Sequence, residues 1–91
     1  MRLVHTRLFS EAGGAGTRDD AHLMQDLLWA HAGPEHAVEH IRVRAAPHGI
    51  ELVLFVRAET EAIATARARS LLSGAVTPIS GLGYVIGRTF G

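Results

Sequence analysis

Three residue types are missing from this 91-residue chain: cysteine, lysine and asparagine. Without cysteine there is no disulfide, no thiolate nucleophile and no zinc-finger type of site. Without lysine, Schiff-base chemistry and the ammonium of a phosphate loop are also excluded. All nine basic residues are arginines, balanced by nine acids, so the formal net charge is zero. We read the all-arginine usage as the composition of a GC-rich genome rather than a chosen chemistry. No apolar run reaches the ~18 residues of a membrane helix. The opening residues, from Met1 to Arg7, lack the apolar stretch of a signal peptide. The expectation is a cytoplasmic protein that does not engage a membrane.

Hydrophobic residues make up 47% of the chain and charged ones 20%, a globular balance. A chain of this length forms one domain, here residues 1–91. Such a domain buries only about 60–65% of its unfolded surface, so its stability margin is modest and an oligomer would add to it.

Two period-two segments, residues 38–45 and 50–57, flank the turn Ala46-Pro47-His48-Gly49 and predict a hairpin. Strand side chains alternate between faces. The first strand sets Ile41, Val43 and Ala45 on one face, with His40, Arg42 and Arg44 on the other. The second sets Ile50, Leu52, Leu54 and Val56 against Glu51, Val53, Phe55 and Arg57. Residues 2–9 alternate likewise and predict a first strand.

Thr17, followed by Asp19 and Asp20, predicts the start of a helix over 18–32, which Gly33-Pro34 stops. Its apolar arc takes in Ala21, Leu23, Met24, Leu27, Leu28 and Ala32; His31 falls inside that arc and reads as a satisfied histidine near the helix C-terminus, while Trp29 falls outside it. An alanine-rich helix is expected over 59–73, with Ala62, Ile63, Ala66 and Leu71 as its contacts. Residues 77–81 then read as a loop and 82–90 as a last strand, where Gly83 and Gly87 suggest a sheet edge or a bulge.

The order strand, helix, strand, strand, helix, strand resembles the ferredoxin-like arrangement. This is an α+β sandwich, a four-stranded antiparallel sheet with two helices on one face. It hosts many functions, so the topology assigns none. In it the helices would cover Val4, Leu8, Ile41, Val43, Ile50, Leu52, Leu54 and Val56. The open face would carry Leu3, His5, Arg7, Phe9, His40, Arg42, Arg44, Val53, Phe55 and Arg57, joined by Tyr84, Ile86, Arg88 and Phe90 or their alternates.

A mixed apolar and arginine surface of this kind suits a partner better than water, because interface cores favour aromatics and arginine. The candidate interface residues are therefore Arg7, Phe9, Arg42, Arg44, Val53, Phe55 and Arg57. They point to a non-catalytic protein–protein interaction or accessory module that self-associates as a homodimer or docks a protein partner. The alternative is a small-molecule or nucleic-acid binding module on the same face. RNA-recognition domains share the topology and stack bases on strand aromatics. However, the segment HGIELVLFV lacks their glycine and aromatic signature, and the chain is not basic. A third reading is a cofactor-free dimeric enzyme with a pocket between sheet and helices, near His5, His40 or Trp29.

No cofactor or metal is expected. His31, His36 and His40 match no zinc spacing, and the loop Gly13-Gly14-Ala15-Gly16-Thr17-Arg18 lacks the ending of a phosphate loop. The four serines sit in no nucleophile-elbow motif.

Overall fold

The alternation of the strands determines the layering of the molecule. The computed structural model describes residues 1–90, with the side chain of Phe90 outside that description. The elements are β1 (Arg2–Ser10), α1 (Arg18–His31), β2 (Val38–Ala46), β3 (Gly49–Val56), α2 (Glu61–Gly74), α3 (Val76–Gly81) and β4 (Tyr84–Phe90). A short 3-10 turn, Pro34–His36, leads into β2. The strands form one antiparallel sheet in the order β2-β3-β1-β4. This is an α+β fold. Among the described residues no helix is long and apolar enough to cross a membrane.

The helices cover one side of the sheet. Val4, Leu8, Ile41, Ile50, Leu52, Leu54 and Val56 are buried there with Met24 and Leu28 of α1, Ala64, Ala68, Leu71 and Leu72 of α2, and Ile79 of α3, while Val43 packs against this core half-buried. Both long helices start on threonine caps: the Thr17 hydroxyl accepts from the Asp20 amide at 3.0 Å, and that of Thr60 from the Ile63 amide at 3.1 Å.

Four local expectations are corrected. In α2 the buried face runs through Ala64, Ala68, Leu71 and Leu72, whereas Ala62, Ile63 and Ala66 are exposed. In an alanine-rich helix the apolar asymmetry is weak, so fit to the sheet decides which alanines turn inward. Residues 77–81 belong to α3 rather than to a loop. Pro78 stands in its first turn, where a missing N–H disturbs no helical bond, and burial of Ala75 and Ile79 holds the segment down. His31 is exposed despite its place in the apolar arc, but it is the satisfied histidine expected near the helix C-terminus, donating from Nδ1 to the Leu27 carbonyl at 2.9 Å. It lies in the last turn of α1, where no sheet residue covers it. Finally, the residues of β4 do not keep one phase. Tyr84 is buried toward the helices, but pairing shifts between Thr6 and Leu8, so that beyond this bulge Thr89 is the buried residue.

Tyr84 also ties β4 to α1. Its hydroxyl donates to Asp20 Oδ2 at 2.7 Å. Burial, reinforced by that hydrogen bond and the charge of Asp20, pushes the phenol up to about 12. A phenol raised in the folded state stabilises fully below its unfolded value of about 10, and this contribution is lost as pH rises toward 12. Tyr84 is the only tyrosine, so phenolate absorbance reports it alone. The native midpoint is expected near 12, falling to about 10 in denaturant. A native midpoint near 10 would show that the phenol lacks this environment.

Candidate functional site

On the side of the sheet away from the helices, register sorts the outward residues into rows. Across β2, β3 and β1 these are His40–Phe55–Leu3, then Arg42–Val53–His5, then Arg44–Glu51–Arg7. Phe9 follows on β1, opposite Gly49 and flanked on β4 by Val85. Leu3, Phe9 and Val85 are 44%, 43% and 53% exposed, while Val53 and Phe55 are half-buried by their neighbours. Phe55 meets the His40 ring edge-on with centroids 5.1 Å apart, and Phe9 meets His48 at 5.4 Å.

The charged row has one organiser. Glu51 accepts from Arg44 on one side, and its other oxygen lies 3.9 Å from Arg7 Nε. The hydrogen bond from Arg44, with the charges of Arg44, His48 and Arg7, holds the Glu51 carboxyl below the usual carboxylate range despite partial burial. The pairing sets Glu51 between two arginines of the strands on either side of it. Next to them lies a shallow depression of about 440 Å³ lined by His5, Arg42, Arg44, Glu51 and Val53. Among the described residues the Arg42 guanidinium makes no ion pair or hydrogen bond.

Six of the seven candidate residues therefore share one surface: Arg7, Phe9, Arg42, Arg44, Val53 and Phe55. Arg57 stands apart. It lies past the end of β3, 3.6 Å from Glu39, and lines a separate cleft with Glu59, Ile63 and Arg67. Glu51 was not among the candidates although alternation places it on this face. Its role emerges only when the register sets it between arginines of two different strands.

The other motifs have structural roles. A Cβ on Gly16 would stand 1.9 Å from the Gly49 carbonyl oxygen, and the Gly16 amide donates to Ala46 at 3.0 Å, so that glycine serves a close approach of loop to hairpin. His36 is buried and accepts from the Gly33 amide at Nδ1. Among the described residues no three His, Asp or Glu side chains are grouped to hold a metal ion. His5 and His40 are on the open face and Trp29 is exposed on α1, so none of the three lies between the layers, where a pocket for the enzyme reading would need them. Compared with known proteins, the chain matches no family model, no curated protein and no solved structure.

Proposed function

We propose that this protein is a non-catalytic interaction module of the ferredoxin-like kind that self-associates through the open face of its sheet. The strand order β2-β3-β1-β4, with helices on one side only, supports that arrangement. The observation that carries the function is the apolar part of the open face, Leu3, Val53 and Phe55 on one side of the charged row and Phe9 and Val85 on the other, which no element crosses among the described residues. The face holds more arginines than acids, so a second copy must bring Glu51 against a cation. A two-fold axis along the strand direction, between β3 and β1, does so. It sets Glu51 of one copy over Arg7 of the other, and Phe55 over Leu3, in an aligned sheet-on-sheet packing.

Sedimentation equilibrium tests this reading. The wild type should form dimers, and Phe55→Asp should raise the dissociation constant about 30-fold or more by placing an unpaired charge in the contact. The variant should keep its far-UV spectrum, because Phe55 is not part of the helix-covered core. A wild type that stays monomeric at high concentration removes the proposal.

One observation favours a second reading, a small-molecule or nucleic-acid binding module on the same face: the unpaired Arg42 beside the depression. In that case Arg42→Gln would abolish the response of nearby amide resonances to added inorganic phosphate, with the solution mass unchanged.

A further inference from the structure

β4 is an edge strand, bonded to β1 on one side only. The other side of such a strand presents a row of unpaired backbone donors and acceptors. Next to β4 runs α2, and between them opens a cleft of about 420 Å³. Leu72 and Ile86 supply its apolar part, and Ser73 contributes a hydroxyl. Arg69 reaches it from the helix and Arg88 from the strand. Among the described residues no acid lines it, and neither guanidinium makes an ion pair or hydrogen bond. Two uncompensated cations thus share one concave surface, whose field attracts anionic groups.

The bulge in β4 accounts for the position of Arg88. With Leu8 paired to Ile86 and Thr6 to Thr89, both Gly87 and Arg88 stand opposite the single residue Arg7. Unbroken alternation from Tyr84 and Ile86 would send Arg88 inward beneath the helices. The extra residue gives that inward position to Thr89 and leaves Arg88 exposed at the cleft. Bulges at sheet edges commonly re-aim a side chain in this way.

We infer that the β4 edge and α2 form a strand-addition groove for an extended, acidic segment of a partner protein. The segment would lie along β4 as a fifth strand, with ladder hydrogen bonds as the source of affinity. Its alternate side chains would enter the cleft, apolar ones against Leu72 and Ile86 and carboxylates against Arg69 and Arg88. Charge selects the occupant: a second copy pairing through its own β4 would bring two positive clefts together, whereas an acidic strand neutralises one. This groove is separate from the open face, so the inference stands independently of self-association.

A fluorescein-labelled hexapeptide alternating valine and glutamate serves as the probe, read by anisotropy. Saturable binding is expected, with no binding of the corresponding valine and lysine peptide. Arg69→Glu with Arg88→Glu should weaken binding about tenfold or more. Should that variant lose its far-UV spectrum, the wild type itself decides, since its affinity must fall as salt rises. N-methylation of alternate peptide amides should abolish binding, and amide shifts should centre on β4. The inference is overturned by no binding at about 1 mM peptide. Equal binding of the N-methylated peptide, which would mean simple anion attraction, overturns it too, as do shifts centred on β2 or the open face.

Discussion

Gly49→Ala should destabilise the domain by about 3 kcal/mol or more, a large share of the roughly 5–14 kcal/mol available to a chain of this length. Gly49 has φ +146°, a conformation that side-chain-bearing residues rarely adopt. Its Cβ would stand 2.2 Å from the Leu8 carbonyl oxygen and 2.9 Å from the Ser10 amide nitrogen. Both are backbone atoms of the neighbouring strand, so no side-chain rotation relieves the clash. Urea denaturation followed by far-UV circular dichroism measures the loss. Gly16→Ala strikes the same junction through the Gly49 carbonyl, so the double variant should lose less than the two single losses added. An alanine at 49 within about 1 kcal/mol of the wild type would mean that the hairpin bends away freely, contrary to its tight pairing with β1.

Leu28→Ala should lower stability by about 2–5 kcal/mol, the usual range for removing a leucine from a closed core. Leu28 is fully buried in the cluster formed by α1 and the inner face of the sheet. The same denaturation curve provides the measurement, and sedimentation gives an independent check. Because Leu28 and the open face lie on opposite sides of the sheet, the proposed dimerisation should persist under conditions where the variant remains folded. A parallel loss of self-association in a folded variant would mean that the two sides are coupled, or that the contact lies elsewhere.

Strands proved far more legible in the sequence than helices. All of the residues expected under the helices, from Val4 to Val56, are there, because a period of two leaves each side chain only two choices. Helical position is graded instead. Leu23, inside the apolar arc of α1, is 50% exposed, while Ala21, Met24 and Leu28 take the buried positions. The alanines of α2 gave no gradient at all, and α3 was hidden by Pro78 and Gly81, residues that break helices in the middle but not at their ends. For the candidate surface, membership was readable but grouping was not. Arg44, Glu51 and Arg7 form one row only because three strands align in register, a fact of long-range pairing that no local pattern encodes. The cleft of Arg69 and Arg88 was out of reach for a similar reason. It depends on a bulge whose only trace in the sequence is a glycine, Gly87.

The buried contact between Thr6 and Thr89 bears on how β4 keeps its alignment. Their hydroxyl oxygens are 3.1 Å apart, on side chains almost closed to solvent in a largely apolar core. If β4 slid along β1 by two residues, each threonine would face an apolar or glycine neighbour. Two hydroxyls would then be stranded, at about 1–3 kcal/mol each. The pair acts as a latch that discriminates against slipped alignments instead of adding greatly to the stability of the correct one. In an outermost strand carrying a glycine and a bulge, this pair adds to the Tyr84 hydrogen bond in holding the strand in step. With the latch closed, Arg88 has a fixed address at the rim of its cleft, and replacing both threonines with valine should leave a folded protein whose last strand no longer keeps its place.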